Sequence, residues 1–397
     1  MSEVVLNDVC ELIVDCPHST AYDEGTGYPL VRTPNIGRGR IIYSGMHRVC
    51  EEVYNKRNAR AIPQTNDLIF AREATAGNVA LIQEGEKVCL GQRTVLIRPN
   101  ANLVNPAFLT YHLLAPEQQY KLLSTANGAT VAHVNMPTIR NLKLSLPPLA
   151  TQHRIATILS RYDSLIENYQ KQIKLLEEAA QRLYKEWFVD LRFPGHENTK
   201  IVDGVPEGWE KKRLNNLVNL QSGYAFKSST FEESGQYKIV TIKNVKDGLF
   251  DGDNVSFIKS IPEKMPAHCL LQTGDILLSL TGNVGRVCFI IGKNYLLNQR
   301  VAKLDSHYPA FTYCLFRNHD MFIEVNNLAN GAAQQNVSPI RIGEMKILLP
   351  NKEVLYKFES ITSKPIVGII SLQSQLRLLT EARDRLLPKL LSGEITV

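Results

Sequence analysis

Residues 106–130 read PAFLTYHLLAPEQQYKLLSTANGAT, and residues 309–333 repeat the pattern as PAFTYCLFRNHDMFIEVNNLANGAA. The prolines at positions 106 and 309 are 203 residues apart, as are Ala126 and Ala329, and Leu175 and Leu378. A constant offset at separate landmarks indicates an internal duplication. The two stretches therefore predict two similar halves of about 200 residues each.

Looser matches extend this duplication over nearly the whole chain. The run NDLIFAREATAGNVALI from Asn66 resembles GDILLSLTGNVGRVCFI from Gly274, and LGQRTV from Leu90 resembles LNQRVA from Leu297. Short runs rich in aliphatic residues lie between Gly, Asn and Asp clusters, which predicts strands joined by turns. The triplets at 77–79 and 282–284, both Gly-Asn-Val, are expected to be turns and not DNA contacts.

A helix is expected to begin where an asparagine precedes the first proline of the repeat. Asn105 is a suitable N-cap and Pro106 a suitable first helical residue. The sequence predicts a helix from this point towards Leu123, ending near Gly128.

A heptad seam follows the first copy of the repeat. Its apolar positions alternate spacings of four and three, as in a coiled coil and unlike the wider stripe of a surface helix: Ile155, Leu159, Tyr162, Ile166, Tyr169, Ile173, Leu176, Ala180, Leu183 and Trp187. The offset of 203 gives a second seam from Phe358 to Leu390. In that seam Pro365 is expected to break or kink the helix, and Arg383 must reach solvent or a carboxylate.

Two helices with matching apolar seams in one chain can bury those seams by packing against each other. The fold class expected is α+β, with two similar mixed α/β domains separated by two long antiparallel coiled-coil helices in a pseudo-twofold repeat. The first helix would be roughly 50 Å long, a spacer that suits two half-sites about 34 to 36 Å apart on duplex DNA. The expected segments are a domain at 1–150, a helix at 151–190, a linker at 191–206, a domain at 207–350, a helix at 351–393 and a tail at 394–397.

The composition is that of a folded protein, and it does not decide which class of molecule the protein binds. Of 397 residues, 44% are hydrophobic and 21% charged, and the net charge of +6 permits a nucleic-acid partner without demanding one. The seven cysteines form no CxxC pair, which favours reduced thiols, and no metal site is expected although Cys10, Cys16 and His18 are close in sequence. No segment is apolar enough to span a bilayer, so a cytoplasmic location is expected.

Several stretches resemble the specificity subunit of type I DNA restriction-modification enzymes. The resemblance lies in LPPLATQHRIATILSRYDSLIENYQKQIKLLEEAAQRLYKEWF from Leu146, VPEGWEKKRL, QSGYAFKSSTF and the final LLTEARDRLLPKLLSGEI. It implies two target-recognition domains, each reading half of a bipartite double-stranded DNA site. It also implies long helices that dock two methyltransferase (modification) subunits, which would carry S-adenosylmethionine, with restriction (translocase/endonuclease) subunits completing the complex.

Catalytic signatures are missing from the sequence. We find no GxGxxG, no Walker motif and no Asp-Pro-Pro-Tyr or Asn-Pro-Pro-Tyr tetrad, so catalysis is expected to belong to partner subunits and no catalytic residue or cofactor is assigned to this chain. Two alternatives remain open. One is a coiled-coil adaptor whose two domains bind proteins, and the other is an enzyme with an unrecognised nuclease or transferase site.

Arginine, lysine and glutamine side chains are the natural readers of base edges and phosphates. The expected DNA-contacting residues of the first domain are Arg32, Arg38, Arg40, Arg72, Gln92 and Arg93. Those of the second are Ser222, Tyr224, Lys227, Lys243, Lys246, Arg286, Gln299 and Arg300. The Gln-Arg pair occurs in both copies, so a structural role common to both domains is the alternative for it. Outward residues of the first helix form the expected partner surface: Arg161, Glu167, Lys171 and Arg182.

Overall fold

The computed structural model of the chain describes residues 2–124, 133–329 and 336–397. It divides into two units, the first formed by Met1–Leu165 with Leu379–Val397 and the second by Ile166–Leu378. We call these unit 1 and unit 2. Each unit contains a mixed α/β body and a segment of each long helix.

The elements of unit 1 combine two main sheets with short helices. Its strands are β1 (Ser2–Val5), β2 (Cys10–Asp15), β3 (Tyr28–Val31), β4 (His47–Val49), β5 (Leu68–Ala71), β6 (Val79–Leu81), β7 (Cys89–Leu90), β8 (Thr94–Pro99) and β9 (Lys143–Leu146). Its helices are α1 (Glu51–Arg57), α2 (Pro106–Leu114), α3 (Pro116–Ser124), α4 (Met136–Arg140) and the first part of α5 (Leu149–Tyr184). An antiparallel sheet has the order β2-β8-β5-β6, a mixed sheet the order β4-β3-β7, and β1 pairs with β9.

The central strands of unit 1 are buried on both faces. In β5, Leu68 and Phe70 belong to the cluster that contains helix α2, whereas Ile69 belongs to a second cluster with Val31 of the mixed sheet and Ile36 of the following loop. Side chains alternate between the faces of a strand, so a continuous apolar run fills a core on each side. The polar residues of this sheet are thereby confined to its edges and strand ends.

Unit 2 repeats this arrangement. Its strands are β10 (Ile201–Val202), β11 (Val205–Pro206), β12 (Glu210–Arg213), β13 (Val218–Ser222), β14 (Tyr237–Val240), β15 (Ser256–Ile258), β16 (Leu270–Leu271), β17 (Ile276–Ser279), β18 (Val287–Phe289), β19 (Tyr295–Leu297), β20 (Val301–Ser306) and β21 (Lys346–Leu349). Its helices are α6 (Pro309–Arg317), α7 (His319–Ala329), α8 (Pro339–Gly343) and most of α9 (Lys352–Ser392). The order β13-β20-β17-β18 repeats the four-stranded sheet of unit 1, and β14 pairs in parallel with β19 as β3 does with β7.

The two long helices pack in opposite directions. In unit 1, Ile155 and Leu159 near the start of α5 share a cluster with Leu390 near the end of α9. In unit 2, Tyr184 near the end of α5 lies 6.2 Å from Phe358 near the start of α9, measured between ring centroids. The predicted antiparallel pairing of two α-helices is confirmed.

An ion pair crosses the helices within unit 1. Arg383 of α9 donates from Nη1 to Asp163 Oδ1 of α5 at 2.8 Å, and Tyr111 of α2 donates to Asp163 Oδ2 at 2.6 Å. Burial and the neighbouring carboxylate raise the pKa of Tyr111. Of the two outcomes expected for Arg383, solvent or a carboxylate, the structure shows the carboxylate. The equivalent positions of the repeat carry Ile366 and Ala180, both buried in the apolar core of unit 2.

Pro365 was expected to break or kink the helix, and the expectation of a break is wrong. The helix is continuous from Lys352 to Ser392. A proline removes the hydrogen bond to the carbonyl four residues earlier, and here that residue is Ile361, whose side chain is 46% exposed. On this exposed face water can hydrate the carbonyl.

The predicted helix from Pro106 to Leu123 is two helices. The Asn105 side chain accepts from Phe108 N–H at 2.9 Å as the predicted N-cap, but α2 ends at Leu114 because Ala115 is extended ahead of Pro116. A second helix then runs to Ser124. Gly128, where the helix was expected to end, lies outside the described residues.

The two Gly-Asn-Val triplets lie at turns, as predicted, but these turns do not align the identical letters. Gly77 N–H donates to Ala71 O, and Gly285, not Gly282, makes the matching bond to Ser279 O. Val79 and Val287 accordingly occupy the same place, as acceptors from Gly39 and Gly248. The identical letters of the triplets are out of structural register.

A buried asparagine organises the same turn in each unit. Asn244 is fully buried; its Oδ1 accepts from Thr241 N–H at 2.8 Å, and its Nδ2 donates to Asp251 O and Asn254 O at 2.8 and 2.9 Å. Asn35 makes the corresponding bonds to Arg32 N–H and Ile42 O.

Substituting Asn244→Ala is expected to destabilise unit 2 by about 2 to 4 kcal/mol, because buried backbone groups lose their partners. Trp187 and Trp209, the two tryptophans of the chain, both lie in unit 2, so urea denaturation followed by tryptophan fluorescence reports on this unit. The exposed Asn254 supplies the control, since Asn254→Ala should change stability by less than about 0.5 kcal/mol. Equal midpoints for the two variants would contradict the assignment.

A buried histidine makes unit 1 sensitive to acid. Burial lowers the pKa of His112 to about 4. An unfolded histidine binds its proton near pH 6.5, so stability is expected to fall as pH drops from there towards 4, by about 3 kcal/mol in total. Calorimetric unfolding across this range measures the loss, and His112→Gln should flatten the pH profile. A slope unchanged in that variant would rule out His112 as its source.

Among residues 2–124, 133–329 and 336–397, the described helices include none with the length and apolar character needed to cross a membrane.

Candidate functional site

Strand ends bring several predicted residues together in unit 1. In the order β2-β8-β5 neighbouring strands are antiparallel, so the end of β2, the start of β8 and the end of β5 lie at one edge of the sheet. Polar side chains follow each of these ends. We call the resulting cluster the strand-end corner, and it consists of Asp15, Arg72, Glu73, Arg93 and His133.

The corner is a chain of charged hydrogen bonds. Arg72 Nη1 lies 2.8 Å from Asp15 Oδ2, and Arg72 Nη2 lies 2.9 Å from His133 Nε2. His133 Nδ1 is 2.6 Å from Glu73 Oε1, and Glu73 Oε2 is 2.6 Å from Arg93 Nη1. Because a guanidinium can only donate, His133 Nε2 accepts from Arg72, which leaves the Nδ1 proton for Glu73.

The residues of the corner differ in exposure. Arg72 is buried, and its Nε also donates to Val134 O at 3.0 Å. The side chain of Arg93 is 60% exposed while that of Glu73 is only 16% exposed. The corner therefore has a fixed inner part at Arg72 and an accessible tip at Arg93.

Backbone strain is concentrated at the same place. Ala74, Thr75 and Arg93 have φ angles of 50°, 105° and 63°. Such left-handed conformations disfavour residues with a side chain and are retained where the surroundings hold them, often at functional sites. At Arg93 the carbonyl accepts from Arg72 N–H at 2.9 Å, and this bond holds the backbone in place.

A cavity of about 330 Å³ lies beside the corner. Predicted residues Arg32, Gln92 and Arg93 line it, together with Arg57 and Thr33. Arg57 is buried and donates to three backbone carbonyls, those of Leu90, Ser19 and Pro17, and its burial lowers the pKa of its guanidinium. No carboxylate in the described part of the chain lines this cavity, which gives it a positive character.

The remaining predicted arginines of unit 1 lie elsewhere. Arg38 donates to Leu114 O at 3.0 Å and so ties its loop to the end of α2. The equivalent position in unit 2 is Asp247, which pairs with Arg317 at the end of α6. Arg40 is half-buried.

The equivalent edge in unit 2 carries different side chains. Backbone bonds place Arg300 where Arg93 stands, because Leu280 N–H donates to Arg300 O as Arg72 N–H does to Arg93 O. Thr281 Oγ1 donates to Asn336 Oδ1 at 2.9 Å in place of the Glu73–His133 contact. Ser222 ends β13 as Asp15 ends β2. Where unit 1 has the ionisable side chains of Asp15, Glu73 and His133, unit 2 thus has the neutral side chains of Ser222, Thr281 and Asn336.

The other residues predicted for unit 2 are spread around this edge. The Tyr224 ring packs against Phe226 at a centroid distance of 5.0 Å, and its backbone bonds to Leu297 O and Gln299 N–H. Lys246 lies 3.9 Å from Asp251. The exposed residues are Lys227, Lys243, Gln299 and Arg300, and Arg286 is half-buried.

The predicted partner residues lie along α5. Arg161, Lys171 and Arg182 are exposed, and Glu167 is half-buried. The same helix also exposes Leu175 to 64%, and its repeat equivalent on α9, Leu378, is 55% exposed. These two leucines were used as landmarks of the repeat but not predicted as partner residues.

Asp15, Glu73 and His133 were not among the residues predicted to contact DNA. Glu73 and His133 are 60 positions apart, and only the fold joins them. Within the ranges that the structure describes, no group of three or more His, Cys, Asp or Glu side chains is placed to hold a metal ion.

Comparison with known proteins identifies the family. A model described as the type I restriction modification DNA specificity domain matches residues 1–178 and 206–367. The type I restriction enzyme MjaIX specificity subunit of Methanocaldococcus jannaschii is 27% identical, covering 99% of this chain and 93% of its own length. The MjaVIII specificity subunit of the same organism is 29% identical, covering 86% of this chain and 81% of its own.

A solved structure shares the fold. The crystal structure of the S subunit of a type I restriction-modification system from M. genitalium matches with a TM-score of 0.64 at 16% identity, covering 98% of this chain and 95% of that chain. The family model covers well over half of the sequence. This chain therefore belongs to the family of type I restriction modification DNA specificity domain proteins.

Proposed function

We propose that this chain is the non-catalytic DNA-recognition subunit of a type I restriction-modification complex. Each unit reads one half of a bipartite double-stranded DNA site, and the segments 1–150 and 207–350 serve as the two target-recognition domains. The observation that carries the proposal is that the strand-end corner of unit 1 has an equivalent edge in unit 2. Its backbone is the same in both units, whereas its polar side chains differ, as two readers of different sequences require.

We further propose that DNA contacts come from the residues predicted in both domains. In unit 1 the corner and its cavity supply Arg32, Arg72, Gln92 and Arg93, with Arg38 and Arg40 nearer to α2. In unit 2 the contacts come from Ser222, Tyr224, Lys227, Lys243, Lys246, Arg286, Gln299 and Arg300. The exposed lysines suit phosphate contacts, which fix position, and the arginines and glutamines suit base edges.

We propose the long helices as the docking surface for two methyltransferase subunits. Arg161, Glu167, Lys171 and Arg182 supply polar contacts, and Leu175 and Leu378 add apolar contacts at equivalent places of the repeat. Those partner subunits would bind S-adenosylmethionine, and restriction subunits would join the full complex. The protein would act in the cytoplasm, where its DNA substrate lies.

Exchange of residues 1–150 with those of a family member of different specificity tests the function. We expect methylation-aware sequencing of the host genome to show a change in one half of the modified motif and none in the other. Footprinting of the purified complex provides a second readout. Absence of sequence-specific protection would favour a protein-binding adaptor, and methylation or cleavage by the isolated chain would reveal an enzyme.

A further inference from the structure

We propose that Arg93 reads a guanine in the half-site of unit 1, and that Glu73 and His133 are positioning residues that hold its guanidinium. This inference rests on the proposed function, because it names the contact through which unit 1 recognises its half-site. Guanine presents two acceptors, O6 and N7, in the major groove, and the parallel donors of an arginine fit them together.

The guanidinium of Arg93 is held by Glu73 and is still accessible from outside the protein. Glu73 Oε2 lies 2.6 Å from Nη1, while 60% of the arginine side chain is exposed. A guanidinium carries five N–H donors, so this contact leaves donors for a base edge. Restricting a flexible side chain before binding lowers the entropy lost on binding, which strengthens the contact and sharpens its direction.

Glu73 is itself held in place. Its second oxygen, Oε1, is 2.6 Å from His133 Nδ1, and His133 Nε2 accepts from the buried Arg72. Arg72 is in turn anchored on Asp15 Oδ2 and Val134 O. The orientation of Arg93 therefore depends on a bonded chain that reaches into the body of the sheet.

Comparison of the two units separates the backbone role of Arg93 from that of its side chain. The backbone carbonyls of Arg93 and Arg300 both accept a hydrogen bond from a backbone N–H. The donor is the residue that follows β5 in unit 1 and β17 in unit 2. A purely structural clamp requires only this bond. The support of the side chain differs instead: Glu73 and His133 correspond to Thr281 and Asn336, which cannot form the same carboxylate–guanidinium pair. The side chain of Arg93 is held in a way specific to unit 1, as expected of a reader that must differ between half-sites.

The surroundings of Arg93 favour a base rich in acceptors. Arg32, Gln92 and the buried Arg57 line the adjacent cavity of about 330 Å³. Their donors produce a positive potential next to the exposed tip of Arg93. Guanine has the strongest pair of acceptors on its major-groove edge, whereas the exocyclic amino groups of adenine and cytosine would meet donors.

The experiment uses the complete complex of this chain with its methyltransferase subunits. Binding is measured to duplexes in which each base pair of the half-site read by unit 1 is varied in turn. Arg93→Lys keeps the charge but removes the planar fork of donors. We expect it to lower the preference for one G·C pair by roughly tenfold to a hundredfold, while discrimination at every other position is retained.

Two further variants test the positioning residues. Glu73→Gln and His133→Asn are expected to weaken discrimination at the same base pair by a smaller factor than Arg93→Lys does. His133→Asn introduces the residue that stands at the equivalent position of unit 2, Asn336. The half-site of unit 2 should be read as before. Lys143→Ala removes a charge from an exposed ion pair with Glu3 and serves as the matched control, with no change in discrimination.

Two results would overturn the inference while leaving the proposed function intact. One is full discrimination in Arg93→Lys with a uniform loss of affinity in Arg93→Ala, since that pattern identifies a phosphate contact. The other is loss of preference at an A·T pair. By contrast, a wild-type complex without any sequence preference would defeat the proposed function and this inference with it.

Discussion

Replacing Arg383 with alanine is expected to destabilise unit 1 by about 3 kcal/mol, because Asp163 then keeps a largely buried charge without its cation. Its carboxylate accepts from Arg383 at 2.8 Å and from Tyr111 at 2.6 Å, and its side chain is only 10% exposed. The loss is measured by hydrogen exchange of the unit 1 amides, since both tryptophans report on unit 2.

The repeat supplies the matched control for this substitution. Ile366 and Ala180 stand at the positions of Asp163 and Arg383 in the apolar core of unit 2. The double variant Asp163→Ile with Arg383→Ala is therefore expected to recover most of the lost stability, as buried ion pairs often tolerate replacement by apolar residues. A double variant less stable than Arg383→Ala alone would show that Asp163 stabilises unit 1 through its contact with Tyr111 even when Arg383 is absent.

Replacing Arg72 with leucine is expected to have two separable effects. The first is a destabilisation of unit 1 by about 3 kcal/mol, because Asp15 loses its guanidinium partner while remaining mostly buried. The second is a loss of recognition of one half-site, because His133 and Glu73 lose the anchor that holds Arg93. Hydrogen exchange measures the first effect and binding to varied duplexes the second.

The double variant Asp15→Ser with Arg72→Leu separates the effect on the stability of unit 1 from the effect on DNA recognition. It copies Ser222 and Leu280 of unit 2, so we expect stability to return towards that of the wild type. Recognition of the half-site of unit 1 should stay impaired, because the link to His133 is still missing. Recovery of both properties together would mean that Arg72 contributes to DNA recognition only through stability.

Local patterns in the sequence predicted the long helices correctly. The heptad spacing from Ile155 to Trp187 depends on neighbours three and four residues apart, and an offset of 203 carried it to α9. Arg383 was expected to reach either solvent or a carboxylate, and the structure shows the carboxylate of Asp163. A helix was predicted at 351–393, but its continuity through Pro365 was not. The effect of a proline depends on which face of the helix is exposed, and the sequence alone does not state this.

The strand-end corner could be predicted only in part. Arg72 and Arg93 were selected as single residues, but their connection through His133 joins segments about 60 positions apart. The repeat also misled in the β-rich parts of the domains, where some equivalent residues are not at the offset of 203 that relates the helices. Asn35 and Asn244 are 209 positions apart and Gly77 and Gly285 are 208 apart, because the loops of the two domains differ in length.

The charged pair Asp163–Arg383 has an apolar counterpart in Ile366 and Ala180, and this difference is expected to limit how genes of this family can recombine. A chimaera that joins the first half of this chain to a foreign second half keeps Asp163 but receives whatever residue occupies position 383. Donors with arginine there complete the buried pair; others remove the Arg383 contact of Asp163 and are expected to give a weakened hybrid. New specificities should therefore arise more readily by exchange of a domain alone, within boundaries that leave both helices in place.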